Sequence, residues 1–233
     1  MKYAIKINEV KGEDTNLKAF ATITFGDSLV VRNIAIVKKN GSDELFVSMP
    51  SHRTNDVTDK GEPIYRDICN PITKEFYEEI TKNVLNAYES RKELGVDGLV
   101  VNDKDTHPMA FSVKVTPLKR EDSSLRGIGR IYLDDSFVIS NVRMIEGKKG
   151  MFISMPDYRT DKIKDGKPIY REIVFPVTKE FREKLYGEFE KEYAAEKSKA
   201  KGDKDPDKEA DRAAKAPKKD KGPEKEKEVA VAR

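Results

Sequence analysis

Apolar and polar residues alternate along the first 50 positions of the chain in a pattern that is typical of half-buried β-strands. Tyr3, Ile5 and Ile7 share one face of the first stretch, and the alternation returns between residues 17 and 25. Short turns rich in Gly, Asp, Asn and Ser separate the apolar stretches, and such turns join neighbouring antiparallel strands. The pattern predicts a meander of four strands near residues 3–7, 17–25, 29–37 and 45–49.

A different pattern follows this meander. Residues 51–63 are polar and are predicted to form a loop, and residues 65–68 are predicted to form a short extra strand. Thr73 is a suitable helix N-cap, because apolar residues follow it at the three- and four-residue spacing of a helix. Those residues are Phe76, Ile80, Val84, Ala87 and Tyr88. One helix covering one face of the sheet gives a two-layer α+β unit.

The sequence contains this unit twice. The block LFVSMPSHRT at residues 45–54 returns as MFISMPDYRT at 151–160, and PIYRDI at 63–68 returns as PIYREI at 168–173. Thr178 precedes a second helical stripe of apolar residues, which are Phe181, Leu185, Phe189 and Tyr193. An offset of 106 residues at the first block and 105 at the second indicates a duplicated domain. Solenoid units, in contrast, recur every 20–50 residues or so.

The duplication divides the chain into four parts. Residues 1–94 form repeat one, 95–108 a linker, 109–194 repeat two and 195–233 a charged tail. The apolar run at 99–101 inside the linker is compatible with an extra strand, which the sequence alone does not place. We predict that the two repeats pack as an intramolecular pseudo-dimer, because a lone meander leaves open strand edges that a second copy covers.

Charge is distributed unevenly between the repeats and the tail. The chain carries 45 Lys and Arg against 42 Asp and Glu, but residues 195–233 alone hold 13 basic and 10 acidic residues. Residues 1–194 are therefore neutral overall, so any affinity for nucleic acid must come from a local patch. The tail has no Phe, Tyr, Leu, Ile or Met. It is predicted to be disordered, with transient helix near 208–215, and to add nothing to the stability of the fold.

Composition also limits the location and the chemistry. No apolar run is long enough to span a bilayer, and the first residues lack the apolar segment of a signal peptide, which predicts a cytoplasmic protein. The single cysteine, Cys69, fits a reducing compartment and is predicted to be a small core residue. The sequence has no phosphate-binding glycine loop and no cysteine pair at zinc spacing, and neither His52 nor His107 recurs in the other repeat. We therefore predict no enzymatic activity, no cofactor and no metal.

Arginines are the recurring residues with chemistry to offer. Each repeat presents one arginine shortly after its Met-Pro pair and a second in its Pro-Ile-Tyr-Arg block. Guanidinium groups bind phosphate oxygens in a bidentate fashion, and hydroxyls and the amides of a helix N-terminus add neutral donors. The candidate nucleic-acid contacts are His52, Arg53, Thr54 and Arg66 in repeat one and Arg159, Thr160 and Arg171 in repeat two. A structural alternative pairs Arg53 with Asp67 and Arg159 with Glu172, which would fix the loop instead.

Each repeat resembles the bacterial septation protein SpoVG family. The resemblance covers roughly residues 1–90 and 109–193, and it is carried by the Phe-Val-Ser-Met-Pro-Ser-His-Arg-Thr block together with the following Tyr-Arg-Asp-Ile-Cys-Asn-Pro-Ile. It implies a small α+β protein that dimerises, binds DNA and RNA, and acts as a regulator with effects on septation and sporulation. The family's suspected nucleic-acid contacts carry over to Arg53 and Arg159 alone.

The chain also departs from the family pattern. His52 and Tyr158 stand where the family usually has Lys, and Asp157 stands where it has Ser. Family members are typically one domain, so two repeats in one chain suggest a covalent pseudo-dimer. Two functions follow: a regulator that binds DNA or RNA, or a protein-interaction adaptor in division or sporulation with little nucleic-acid affinity. Repeat one, with Ser51 and a protonatable His52, is predicted to hold the stronger binding site.

Overall fold

A computed structural model describes residues 1–10, 15–95, 98–101, 107–119 and 122–202 of the chain. Repeat one begins with the four predicted strands and continues through three short strands and a helix. Its elements are β1 (Tyr3–Glu9), β2 (Leu17–Phe25), β3 (Leu29–Lys38), β4 (Leu45–Ser48), β5 (Ser51–Val57), β6 (Pro63–Asp67), β7 (Cys69–Pro71) and α1 (Lys74–Leu94). The predicted loop at 51–63 is wrong, because its first half is the strand β5, which pairs with β6 as a hairpin.

Repeat two has the same order of elements, after a strand β8 (Gly98–Val101) that follows α1. Its elements are β9 (Phe111–Pro117), β10 (Leu125–Leu133), β11 (Phe137–Gly147), β12 (Gly150–Ser154), β13 (Asp157–Lys164), β14 (Lys167–Glu172), β15 (Val174–Pro176) and α2 (Lys179–Gly202). The helix α2 runs beyond residue 194, so the first eight residues of the predicted disordered tail are helical. The rest of the tail, including 208–215, lies outside the described residues.

The helices form where the sequence predicts them. The Thr73 hydroxyl accepts a hydrogen bond from the Phe76 backbone amide (3.2 Å), and the Thr178 hydroxyl accepts one from Phe181 (3.1 Å). Such bonds satisfy amides that have no partner in the first helical turn. The predicted apolar stripes face the sheets, with Ile80, Val84, Leu185 and Phe189 fully buried.

Two larger antiparallel sheets carry the repeats. The first has the order β8-β1-β2-β3, and the second has the order β9-β10-β11-β12. The run 99–101 that the sequence left unplaced is therefore an edge strand of the first sheet, paired with β1. The outer edge of β3 is shared by two short strands, β4 and β15.

The two repeats exchange one short strand each, which confirms the pseudo-dimer. Strand β15 of repeat two pairs with residues 29–31 of repeat one, and β7 of repeat one pairs with residues 137–139 of repeat two. Backbone hydrogen bonds flank both exchanged strands symmetrically: Arg32 N to Ile173 O (2.8 Å) matches Ser140 N to Ile68 O (2.7 Å). Each repeat therefore completes the sheet edge of the other.

An asparagine in a left-handed conformation occurs at the equivalent position of both repeats, next to the strand edge that takes part in the exchange. Asn33 and Asn141 have positive φ angles of 63° and 62°, a left-handed conformation that Asn tolerates better than most residues. The pairing of β2 with β3 shifts register between Ala21 and Ile23, across from Asn33. The resulting bulge divides β3 into one half that takes β4 and another half that takes β15.

A single hydrophobic core joins the two repeats. The ring of Phe137 from repeat two lies 4.9 Å from the ring of Phe25 and 6.3 Å from the ring of Phe76, both in repeat one. Cys69 is fully buried in this core on the exchanged strand β7, and burial raises the pKa of its thiol. The prediction that Cys69 is a core residue is confirmed.

The exchange leads to a prediction for a fragment that contains residues 1–101. Without repeat two, residues 29–31 lack the strand β15, and β7 lacks its acceptor. Two identical fragments can donate β7 to each other, so we expect a dimer or aggregates in sedimentation experiments, because uncovered strand edges self-associate. A stable monomer at micromolar concentration would contradict this expectation.

Candidate nucleic-acid interface

The predicted arginines lie on two β-hairpins that stand apart from the larger sheets. Strands β5 and β6 form hairpin one (residues 51–67), and β13 and β14 form hairpin two (residues 157–172). Each hairpin leaves the core after a buried proline, Pro50 or Pro156, which has no amide hydrogen to continue a strand ladder. It returns where Ile68 N donates to Pro50 O (2.7 Å) and Ile173 N to Pro156 O (2.8 Å). The exchanged strand follows at once, so the base of each hairpin is held firmly.

The register of each hairpin separates its two arginines. In repeat one Arg53 is opposite Tyr65, whereas Arg66 is opposite His52. Repeat two has the same arrangement, with Arg159 opposite Tyr170 and Arg171 opposite Tyr158. Since directly opposed residues share a face and successive residues alternate, the two arginines of a hairpin lie on opposite faces. They cannot hold the same phosphate group.

The ion pairs of the structural alternative, Arg53 with Asp67 and Arg159 with Glu172, do not form. Asp67 is opposite Ser51 rather than Arg53, and Glu172 is opposite Asp157 rather than Arg159. The salt bridge in hairpin one instead joins Arg66 to Asp56 (3.7 Å), and both side chains are exposed. In the part of the chain that the structure describes, Arg53, Arg159 and Arg171 are exposed and have no ion-pair partner within 4.0 Å.

The two threonines serve the hairpins themselves. Thr54 Oγ1 donates a hydrogen bond to Ile64 O (3.0 Å) and accepts one from Asp56 N (3.2 Å). Thr160 Oγ1 donates to Ile169 O (2.8 Å) in the same way. These bonds close the irregular stretch after each arginine, where the strand register shifts. Their hydroxyl hydrogens are therefore already engaged within the hairpins and are not available to donate to a phosphate.

His52 is a poor cation. The ring is partly buried, and this burial, assisted by the positive charge of Arg66, lowers the pKa of His52 below its usual value of 6.5. Its Nδ1 is buried without a hydrogen-bond partner. The lowered pKa makes a charged His52 less favourable, which weakens the reason for predicting the stronger site in repeat one.

Asp157, the unfavourable acid of repeat two, is neutralised by a partner that repeat one lacks. Arg143 Nη2 donates to Asp157 Oδ2 (2.6 Å) and to Ser154 Oγ (3.1 Å). Strand register gives Ala35 as the counterpart of Arg143, since Arg143 is opposite Ser154 and Ala35 is opposite Ser48. The two repeats thus hold either Arg with Asp or Ala with Ser. Comparing the sequences of the two repeats shows these differences, but only the strand register shows that residues 143 and 157 are in contact.

We expect Arg143→Ala to destabilise the protein by about 1–2 kcal/mol, because it leaves the partly buried Asp157 without its charged partner. The double variant Arg143→Ala/Asp157→Ser installs the residues of repeat one and should recover most of the loss. Urea denaturation measures both. A double variant no more stable than Arg143→Ala would show that the ion pair is not the cause.

The charge balance differs between the hairpins. Residues 157–172 hold five Lys and Arg against four Asp and Glu, one of which is paired with Arg143. Residues 51–67 hold three Lys and Arg against four Asp and Glu. Tyr170, opposite Arg159, is 58% exposed, whereas its counterpart Tyr65 is half-buried. Hairpin two therefore presents a cation and an aromatic ring side by side on one open face.

No helix in the described part of the chain is both long and apolar enough to cross a membrane. Within the same residues, no group of three His, Cys, Asp or Glu side chains is placed to hold a metal ion.

The fold and the hairpins define a class of protein: two α+β repeats that exchange strands and each carry an arginine-bearing hairpin. The SpoVG family model matches residues 1–90 and again residues 109–195. The chain belongs to the SpoVG family, with the family domain present twice.

Relatives named as SpoVG septation proteins match over about one repeat. The protein from Treponema denticola is 42% identical over 74 residues, which is 32% of this chain and 71% of the relative. The protein from Clostridium perfringens is 36% identical over 92 residues, or 40% of this chain and 92% of the relative. The protein from Staphylococcus carnosus is 35% identical over 99 residues, which is 42% of this chain and 79% of the relative. These names describe septation proteins rather than enzymes.

Proposed function

We propose that this protein binds DNA or RNA through its two arginine hairpins and acts as a non-enzymatic regulator. The observation that carries the proposal is Arg159, which is exposed, has no acidic partner among the described residues, and lies opposite the exposed ring of Tyr170. An unpaired guanidinium binds phosphate, and an open aromatic ring stacks on a base. Together they suit a single strand, whose bases are accessible to stacking.

The strength of binding follows from the charge distribution. Residues 1–194 are neutral, so little long-range attraction adds to the contacts of the hairpins. A small number of phosphate contacts gives modest affinity and a shallow dependence on salt. Hairpin two is the stronger site in this proposal, which reverses the preference for repeat one that the sequence suggested. The reasons are the lowered pKa of His52, the pairing of Asp157 with Arg143 and the additional lysines of hairpin two.

The cellular role is proposed from the family. Relatives of this chain are named for septation, so we propose that the protein influences septation, with sporulation as a related process, from the cytoplasm. The two hairpins project from equivalent positions of a pseudo-dimer. One chain therefore offers two related but unequal sites, whereas a dimer of single-domain chains offers two identical sites.

The experiment is a binding titration of the full chain against mixed-sequence single-stranded and duplex oligonucleotides of DNA and RNA at 50 and 200 mM salt. We expect micromolar binding that weakens with salt and favours single strands. No binding at the lower salt concentration would reject the proposal.

A second candidate function is a protein-interaction adaptor without nucleic-acid affinity. Hairpin one favours it, because Arg66 is engaged with Asp56 and acids outnumber bases there. In that case the hairpins bind protein partners from division or sporulation. Retention of those partners after nuclease treatment, together with a failed oligonucleotide titration, would support the adaptor.

A further inference from the structure

The two repeats differ at one edge of their sheets. In repeat one the strand β8 pairs with β1, with Val101 opposite Tyr3 and Leu99 opposite Ile5. Strand β9 holds the place of β1 in repeat two, and within the described residues it pairs with β10 alone. A groove of about 520 Å³ lies along β9 beside α2, at the position that β8 fills in repeat one.

Burial of the equivalent residues shows what the groove lacks. Tyr3 and Ile5, which are opposite β8, are 0% and 2% exposed. Their counterparts in repeat two, Phe111 and Val113, line the groove and are only half-buried. The apolar floor of the groove is therefore partly open to water.

Ile7 and its counterpart Val115 provide an internal control. Ile7 lies on the same strand as Tyr3 but has no partner on β8, and it is 2% exposed. Its counterpart Val115 is 5% exposed, so the two repeats agree at this position. The difference between the repeats is confined to the residues that β8 covers.

Helix α2 sets the charge of the groove wall. Lys184 and Lys191 line it together with Glu188 and Glu192. The Lys184 Nζ lies 5.3 Å from the centroid of the Phe111 ring, so one basic group sits at the end of the groove near Phe111. An occupant with apolar residues on one face and charged residues next to them would match this surface.

We propose that residues 229–232 of this chain, Val-Ala-Val-Ala, dock in the groove as a strand antiparallel to β9. They are the one stretch after Gly202 that contains β-branched residues. Alternation places Val229 and Val231 on one face, opposite Val113 and Phe111 if the register follows that of β8.

In both repeats the segment assigned to the sheet edge follows the helix in sequence. In repeat two the residues between the helix and that segment are long enough to reach the groove. Strand β8 follows α1 in the chain, and residues 229–232 follow α2. Residues 203–228 span up to about 85 Å when extended, whereas the 24 residues of α2 are only about 36 Å long. A tether of this length keeps the segment near the groove at about millimolar effective concentration. This inference does not depend on the proposed nucleic-acid function. It differs from the sequence-based prediction that the tail adds nothing to the stability of the fold, and hydrogen exchange decides between the two.

Hydrogen exchange of the full chain tests the proposal. We expect the amides of residues 111–117 to exchange about tenfold more slowly in the full chain than in a chain that ends at residue 228. A synthetic peptide of residues 224–233, added in millimolar excess to the shortened chain, should restore the protection. The amides of residues 3–6 serve as the internal control, because they are paired with β8 in every variant.

Matched variants distinguish a docked strand from a general effect of the tail. Val229→Lys/Val231→Lys places two charges on the face that meets the groove and should remove the protection of β9. Ala230→Lys/Ala232→Lys places the same charges on the outer face and should keep it. Equal exchange of residues 111–117 in all of these chains would overturn the proposal. Protection that survives the deletion and rises with protein concentration would also overturn it, since a second copy would then fill the groove.

Discussion

Replacing Phe137 with Ala is expected to destabilise both repeats together by about 3–5 kcal/mol. Phe137 is fully buried and contacts Phe25 and Phe76 across the boundary between the repeats. Its loss leaves a cavity that neither repeat can close alone, because each contributes part of the wall. Thermal denaturation should show one cooperative transition that is lowered by about 10 °C.

Phe152→Ala is the matched control for this prediction. Phe152 is also an aromatic residue of repeat two, but it is 51% exposed on the strand β12 at the edge of the second sheet. Its replacement should change the free energy of unfolding by about 0.5 kcal/mol or less. Two separate transitions for Phe137→Ala, with only one of them shifted, would mean that the repeats fold as independent units.

The expected cooperativity follows from the strand exchange. Unfolding repeat two removes β15 from the edge of β3, and it also removes the acceptor of β7. Repeat one would then expose unpaired backbone groups and one wall of the shared core. The duplication therefore joins in one chain an arrangement that separate chains would form only by association, and makes it independent of protein concentration.

Sequence patterns predict the parts of this fold that depend on neighbouring residues. Alternation locates β1 to β4, and Thr73 with the stripe that begins at Phe76 locates α1, because strands and capped helices have local periods. The exchanged strands were not predicted. Each has three residues, too few to show a period, and its partner lies in the other repeat.

The site was predicted less completely than the fold. Recurrence of Arg53 as Arg159 points to the arginine-bearing segments, but the sequence predicts a loop at 51–63 instead of a hairpin, because neither face of β5 is packed on the core. The charge of His52 and the pairing of Asp157 depend on burial and on contacts between distant residues. Those two features are the basis for proposing that repeat two has the stronger site, and no local sequence pattern contains them.

Replacing Arg159 with Ala is expected to weaken nucleic-acid binding about tenfold and to reduce the slope of log K against log salt by about one unit. The variant lacks the guanidinium that we propose contacts phosphate beside Tyr170, so the loss of affinity should be similar for all nucleic-acid sequences. Arg53→Ala, at the equivalent position of the less basic hairpin, should have a smaller effect. Oligonucleotide titrations at several salt concentrations measure both, and the double variant should bind more weakly than either single variant.

The fold should be unaffected by these changes, since Arg53 and Arg159 are exposed and have no ion-pair partner among the described residues. We expect free energies of unfolding within about 0.5 kcal/mol of the unmodified chain. Arg159→Lys is the control for charge alone: it keeps one cation but loses the planar bidentate group, so it should bind with intermediate affinity. If Arg159→Ala and Arg53→Ala both bind as well as the unmodified chain, the hairpins are not the nucleic-acid site. The exposed Tyr170 and its neighbouring cation would then be better explained as a contact for a protein partner.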